Sequence, residues 1–206
     1  MKALIRHLSL LCVALGLAPA VLAEGEATLK VGGDAPAFSL PDPGGTMHGL
    51  EQSKGKIVVL EWTNFDCPFV KKHYGSDTMQ GLQREFTGKG IVWLTVCSSA
   101  PGKQGHCEAA KWPAMVQERK AAPTAVLLDP DGKVGKLYGA KTTPHMFIIG
   151  TDGKLVYQGA IDDQPSFNPD TLKGARNYVR EALEAMLAGT AVPLAETQAY
   201  GCSVKY

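Results

Sequence analysis

Residues 57–74 read IVVLEWTNFDCPFVKKHY and contain the features that decide the fold. The first six form an almost unbroken apolar run rich in β-branched residues, which is typical of a central strand covered on both faces. Cys67 follows five residues after this run, and Pro68 suits the first turn of a helix. We therefore predict a buried strand, then a cysteine, then a helix over residues 69–86.

The rest of the chain alternates between predicted strands and helices. Many Gly and Pro residues in the segment 24–55 indicate short edge strands joined by turns. Further strands are predicted at 91–96, 124–128, 146–149 and 155–158, and further helices at 108–120 and 168–188. This order favours an α/β fold, with a mixed central sheet flanked by helices and right-handed β-α-β crossovers.

The composition excludes several classes of protein. The chain has 206 residues, of which 45% are hydrophobic and 20% charged, so it is neither a disordered chain nor a collagen. Its 21 Lys and Arg residues nearly balance 20 Asp and Glu residues. Without a basic excess, no nucleic-acid partner is expected.

Residues 1–23 have the pattern of a cleavable signal peptide. Lys2 and Arg6 form a positive segment, residues 8–17 are apolar, and the small residues that end at Ala23 suit a signal peptidase. The apolar run is shorter than the roughly 20 residues that a membrane span needs. We therefore expect a periplasmic protein with no membrane span after processing.

The expected domain organisation follows from this reading. After the signal peptide at 1–23, one domain of ordinary size occupies residues 24–188, with an N-terminal strand extension. An irregular C-terminal tail completes the chain at residues 189–206.

Export changes how the cysteines are interpreted. Cys12 lies in the signal peptide, which leaves Cys67, Cys97, Cys107 and Cys202 in the mature chain. An even number of cysteines in an oxidising compartment favours disulfides, and four cysteines allow three complete pairings. Cys97 and Cys107 flank one loop, where we expect a structural disulfide. The alternative is that this pair moves to react with Cys67.

Four segments and the tail resemble the thioredoxin-fold redoxins, both the TlpA-like proteins and the AhpC/TSA peroxiredoxins. The segments are VGGDAPAFSL at 31–40, WTNFDCPFV at 62–70, TTPHMF at 142–147 and DGK at 152–154. The tail YGCSVKY at 200–206 is similar to the ending of a bacterial redoxin branch that also has a Cys-Pro-aromatic-Val motif. The resemblance implies a thioredoxin-like fold.

The same resemblance assigns roles to two residues. It implies that Cys67 is the nucleophile and that Pro144 forms a cis peptide bond facing it. Val70 stands where thioredoxins have their second cysteine, and Asn64 stands where peroxiredoxins have threonine. Peroxiredoxins also have an arginine before the late strand. Here the corresponding segment 141–144 reads KTTP and contains no arginine. Disulfide exchange is therefore favoured over peroxide reduction.

The position of Cys67 at a helix start favours a reactive thiolate, because free N–H groups and the helix dipole stabilise an anion. Lys71 and Lys72 are expected to add positive potential. The alternative is a structural half-disulfide or an inert buried thiol. Cys202 is the expected resolving cysteine, because the tail can fold back over Cys67 and Gly201 permits a tight turn. A permanent Cys67–Cys202 staple is the alternative.

Other polar residues near these motifs have less defined roles. Glu61 is expected either to move protons near Cys67 or to pair with a lysine. His145 either tunes the thiolate or is solvated. His106 lies beside Cys107, but the spacing of His and Cys residues matches no metal motif, so neither a metal nor a cofactor is predicted.

Three functions follow from this reading. The first is an exported thiol–disulfide oxidoreductase with Cys67 as nucleophile, Cys202 as resolving cysteine and Pro144 beside them. The second is a peroxiredoxin-like thiol peroxidase with antioxidant activity, and the third is a non-enzymatic thioredoxin-like binding module. The expected partner is a protein thiol or disulfide, or a small peroxide.

Overall fold

A five-stranded mixed sheet forms the centre of the computed structural model, which describes residues 29–206. The strands are β1 (Ser39–Pro41), β2 (Met47–Gly49), β3 (Val58–Trp62), β4 (Val92–Cys97), β5 (Ala125–Leu128), β6 (Thr142–Thr143), β7 (His145–Ile149), β8 (Leu155–Gly159) and β9 (Cys202–Ser203). The predicted signal peptide and Cys12 lie outside the described residues. Within the described part, no helix is long and apolar enough to cross a bilayer.

The predicted central strand is confirmed as β3. The order of the main sheet is β5-β4-β3-β7-β8. Strands β3, β4 and β5 are parallel, β7 pairs antiparallel with β3, and β8 pairs antiparallel with β7. All five residues of β3 are buried, and Leu60 faces Leu94 on one side and Phe147 on the other. A strand covered on both faces has no need of alternating polar residues, which explains its continuous apolar run.

The helices differ from the prediction in their boundaries. They are α1 (Pro68–Gly75), α2 (Thr78–Gly88), α3 (Trp112–Glu118), α4 (Lys133–Leu137) and α5 (Tyr178–Leu187). The single helix predicted over residues 69–86 is wrong, because the chain breaks between α1 and α2. Directly after α1, the hydroxyl of Ser76 donates to the carbonyl of Lys72. Asp77 then adopts a positive φ of 60°. A non-glycine residue in that region cannot continue a right-handed helix.

The start of the last helix is also corrected. Asn168 caps a short 3-10 helix at Pro169–Leu172 rather than the long helix predicted from residue 168. A second asparagine, Asn177, caps α5, and its side chain accepts the N–H of Arg180 at 2.9 Å. The segment 168–177 thus contains two asparagine caps, and only the second begins an α-helix.

Two apolar layers cover the main sheet. Side chains alternate along β3, so Val59 packs into the layer that contains Leu82 and Leu183, while Leu60 packs into the layer that contains Tyr138. Cys67 belongs to the first layer, together with the side chains of α1, α2 and α5. The reactive end of the sheet therefore lies at the junction of β3 and α1.

Glu61 is buried beneath this junction and has no lysine partner within residues 29–206, contrary to one of the two expectations. Its Oε1 accepts the hydroxyl of Tyr74 at 2.8 Å, and its Oε2 accepts Gln83 Nε2, Trp93 Nε1 and Thr95 Oγ1 at 2.9, 2.9 and 3.1 Å. Burial raises the pKa of Glu61, against the opposing effect of these four donors. The network ties α1 and α2 to the sheet, and a part in proton transfer stays a prediction.

Candidate thiol site

Cys67 occupies the N-cap of α1, directly after the loop that leaves β3. Its backbone N–H donates to the carbonyl of Asn64 at 2.9 Å, and Pro68 takes the first helical position. The side chain of Cys67 is fully buried, with 0% exposure. The backbone N–H of Val70, one of the donors that the helix start leaves free, lowers the pKa of the Cys67 thiol.

The loop before β7 lies against the same sulfur. The peptide bond between Thr143 and Pro144 is cis, which confirms that expectation. The carbonyl oxygen of Thr143 lies 3.1 Å from Cys67 Sγ. Cys67 and the segment around Pro144 are therefore adjacent although they are 76 residues apart in sequence.

The C-terminal tail brings Cys202 to this point. β9 pairs antiparallel with β6, with Cys202 opposite Thr143 and Ser203 opposite Thr142. The sulfur of Cys202 lies 2.7 Å from that of Cys67. Cys202 is partly exposed, whereas Cys67 is enclosed. The three site residues predicted from the sequence, Cys67, Pro144 and Cys202, therefore lie together.

Gly201 allows the tail to approach so closely. Its φ is +138°, and a Cβ at this position would overlap the carbonyl oxygen of Thr143. Both observations require glycine here, because another residue would be strained and would push the tail away from the loop. The predicted tight turn is thus a backbone-to-backbone contact.

The tail is anchored beyond Cys202 as well. The backbone N–H of Val204 donates to the carbonyl of Lys141 at 3.0 Å, and the hydroxyl of Tyr206 donates to the carbonyl of Ala140 at 2.7 Å. The ring of Tyr206 packs against Gly132 and Gly135, where a Cβ would collide with it. The irregular tail is therefore attached to the domain along its last residues.

The two lysines after Cys67, which were expected to add positive potential, have different surroundings. Lys71 is exposed on the outside of α1. Lys72 is buried, and its Nζ donates to the carbonyl of Gln164 at 2.9 Å and to the hydroxyl of Tyr200 at 3.2 Å. Burial lowers the pKa of Lys72, while Asp162 opposes that effect. The ammonium group is thus hydrogen-bonded to the tail and not to the Cys67 sulfur.

The two thiols of the pair differ in acidity. Burial raises the pKa of Cys67, but the interactions with Cys202, Val70 and Thr143 outweigh this effect, so its pKa is lowered overall. Burial and the neighbouring Cys67 raise the pKa of Cys202 to about 11. Cys67 is therefore the more acidic thiol of the pair, and the thiol more readily converted to the reactive thiolate.

Cys97 and Cys107 do not form the expected disulfide in the structure, where both are free thiols. Cys97 ends β4 and is buried, with its sulfur 3.7 Å from the carbonyl of Gly105. Cys107 turns its sulfur toward that of Met115, at 3.2 Å. The loop that joins them instead closes through its backbone and through Asn64, whose amide donates to the carbonyl of Gln104 at 3.2 Å.

The histidine that follows Pro144 lies in the protein interior, and tuning of the thiolate by it stays a prediction. His145 is buried beside Phe147 and is not solvated, which corrects one of the two alternatives for it. Its Nδ1 accepts the backbone N–H of Lys141, and burial, with Lys141, lowers its pKa to about 4. Among residues 29–206, no group of three or more His, Cys, Asp or Glu side chains is arranged to hold a metal ion.

Comparison with known proteins places this site in a family. The sequence model of the AhpC/TSA family matches residues 31–158, which is more than half of the chain. The chain belongs to the AhpC/TSA family. It is 31% identical over 132 residues to the thiol-disulfide oxidoreductase ResA of Bacillus subtilis, an alignment that covers 64% of this chain and 68% of ResA. The redoxin resemblance is thereby confirmed.

Solved structures extend the AhpC/TSA likeness to the fold. An uncharacterized conserved protein from Geobacillus kaustophilus superposes with a TM-score of 0.75 at 28% identity, covering 87% of this chain and 94% of that one. A putative thiol:disulfide interchange protein DsbE from Chlorobium tepidum superposes with a TM-score of 0.55 at 25% identity, covering 78% and 97%. The thioredoxin-like fold is confirmed, while Cys202 lies outside the segment that the AhpC/TSA model matches.

Replacing Cys202 with alanine is expected to raise the pKa of Cys67. The substitution removes the Cys202 thiol, whose interaction with the Cys67 sulfur lowers the pKa of Cys67, so its loss disfavours the charged form. Thiolate absorbance measured against pH in the ultraviolet reports this pKa. A Cys107→Ala control should leave the low-pH transition of Cys67 in place. An unchanged Cys67 transition in Cys202→Ala would show that Cys202 does not stabilise the thiolate.

Proposed function

We propose that this protein is an exported thiol–disulfide oxidoreductase in which Cys67 is the nucleophile and Cys202 the resolving cysteine, with Pro144 beside the pair. The observation that carries the proposal is the 2.7 Å distance between the two sulfur atoms. The difference in their pKa values supports the division of roles. The relationship to ResA, a thiol-disulfide oxidoreductase, supports the same class of reaction.

The first half of the cycle begins at Cys67. With the tail lifted, its thiolate attacks one sulfur of a substrate disulfide, and the other sulfur leaves as a thiolate. Cys202 then returns and attacks the Cys67 sulfur of the mixed disulfide, which expels the second substrate thiolate. The proton of Cys202 passes to a released thiolate. One substrate disulfide is reduced and one Cys67–Cys202 disulfide forms, so the electrons balance.

The second half of the cycle uses the exposed cysteine. Cys202 is partly exposed and Cys67 is enclosed, so an external thiolate reaches Cys202 first. Attack on the Cys202 sulfur breaks the disulfide and expels Cys67, the thiolate with the lower pKa and therefore the better leaving group. A second thiol of the external partner then attacks the mixed disulfide and releases Cys202 as a thiol. A protein dithiol supplies both electrons.

Thiol counting with 5,5′-dithiobis(2-nitrobenzoate) tests the roles in a Cys97→Ser, Cys107→Ser background. We expect the reduced parent to release two chromophores and to retain none, because Cys202 resolves the adduct on Cys67. Adding Cys202→Ser should give release of one chromophore and retention of the other on Cys67. Adding Cys67→Ser should slow the reaction markedly at neutral pH, since the remaining thiol has a raised pKa.

Two results would contradict the assignment. If the parent released two chromophores but retained two others, one on each of Cys67 and Cys202, Cys202 would not be the resolving cysteine. If the parent reacted far faster with hydrogen peroxide than with disulfides, the peroxidase function would replace disulfide exchange.

We propose in addition that the chain is periplasmic, with residues 1–23 removed, a redoxin domain at 24–188 and a tail at 189–206. The order of charged, apolar and small residues in the first 23 positions supports export. Mass spectrometry of the protein from a bacterial periplasmic fraction should give an N-terminus at or near Glu24. Recovery of chains that begin with Met1 only from membranes would contradict cleavage.

A further inference from the structure

A cluster of three charged or polar side chains lies buried under the tail. Lys72, His73 and Asp162 have side chains that are 0%, 0% and 1% exposed. Lys72 Nζ and His73 Nε2 lie 3.8 and 4.0 Å from Asp162 Oδ2, which is beyond hydrogen-bond distance. Taken by themselves, these residues are a buried ion pair with incomplete hydrogen bonding, an arrangement that is costly to bury.

The hydroxyl group of Tyr200 completes the cluster. It donates to Asp162 Oδ1 and lies 3.2 Å from both Lys72 Nζ and His73 Nε2. A tyrosine hydroxyl offers one donor and can accept hydrogen bonds from others, so its bonding capacity is used fully here. The tail thus supplies the atom that joins the cation, the imidazole and the carboxylate.

The protonation states agree with this geometry. Burial, and then the charge of Lys72, lower the pKa of His73 to about 3, so its ring is neutral at physiological pH. A neutral ring that donates from Nε2 leaves Nδ1 as an acceptor, and His73 Nδ1 has no hydrogen-bond partner among the described residues. Burial, and then Asp162, raise the pKa of Tyr200, which keeps its hydroxyl protonated.

Tyr200 is joined to Cys202 by a single residue. That residue, Gly201, lies against the Thr143 carbonyl, so the chain has little freedom between the Tyr200 ring and the Cys202 sulfur. We infer that Tyr200 is a positioning residue, which the cluster of Lys72, His73 and Asp162 fixes so that the Cys202 sulfur stays against Cys67. The inference rests on the proposed function, since it concerns the geometry of the same redox pair.

The tail contains a matched control for this role. Tyr206 follows Cys202 by four residues, and its hydroxyl donates to one backbone carbonyl, that of Ala140. Tyr200→Phe removes the hydroxyl that serves the charged cluster and keeps a ring beside Phe69. Tyr206→Phe removes a tail hydroxyl outside the cluster. The two substitutions are chemically identical and lie on opposite sides of Cys202.

The experiment measures how readily the Cys67–Cys202 disulfide forms in buffers of defined reduced and oxidised glutathione, in the Cys97→Ser, Cys107→Ser background. Loss of positioning lowers the effective concentration of the Cys202 thiol at Cys67 and favours the dithiol. We expect Tyr200→Phe to shift the equilibrium about tenfold toward the dithiol, and Tyr206→Phe to shift it less than about threefold.

A second substitution in the cluster, at Asp162, tests the same inference without relying on the Tyr200→Phe variant alone. Asp162→Asn retains the side-chain size and weakens the acceptor of the Tyr200 hydroxyl, so we expect a shift in the same direction. Urea unfolding of each variant verifies that a folded protein is compared. The inference is overturned if Tyr200→Phe matches the parent, or if Tyr206→Phe shifts the equilibrium as much. Failure of the parent itself to form the Cys67–Cys202 disulfide would instead overturn the proposed function.

Discussion

The contact between Gly201 and the carbonyl group of Thr143 is the constraint on which the site depends. It allows two backbone segments to pair where a side chain would separate them, and the pairing places Cys202 opposite Thr143. Cys67 reaches the same carbonyl from the N-cap of α1. The two sulfur atoms thus meet because a helix start, a loop before β7 and a tail strand share one carbonyl group.

The two cysteines differ because their surroundings differ. Cys67 combines burial with a helix N-H and a thiol donor, and the donors prevail over desolvation. Cys202 lies at the more exposed end of the pair, and its partial burial, together with the Cys67 sulfur that it faces, raises its pKa. The enclosed cysteine is therefore suited to be the thiolate and the leaving group, while the partly exposed cysteine is suited to meet an external thiol. Thioredoxins have a Cys-x-x-Cys motif, whereas here Val70 stands at the second position and Cys202 of the tail lies against Cys67.

Much of the fold could be predicted from local patterns in the sequence. The run 57–62 indicated a doubly covered strand because burial on both faces needs apolar residues at every position. The break between α1 and α2 was missed because it depends on the positive φ of Asp77, a residue that sequence patterns do not distinguish from an ordinary helical residue. The start of α5 was misplaced because Asn168 and Asn177 both have N-cap chemistry.

The candidate site was predictable in part, for a different reason. Cys67, Pro144 and Cys202 were identified from motifs, since each belongs to a short recognisable segment. The roles of Lys72, Asp162 and Tyr200 were missed because they arise from contacts between residues 38 to 128 positions apart. The sequence signal for this cluster was the Lys72-His73 pair on α1. Polar side chains that are buried require hydrogen-bond or charge partners.

Disulfide mapping of mildly oxidised full-length protein tests whether Cys67 and Cys202 form one redox pair. Proteolysis without reduction, followed by mass spectrometry, identifies which cysteines are linked. We expect a peptide containing Cys67 to be linked to the C-terminal peptide containing Cys202. This linkage should form before any that involves Cys97 or Cys107. Linkage of Cys67 to Cys97 or Cys107, with Cys202 remaining a free thiol, would contradict it.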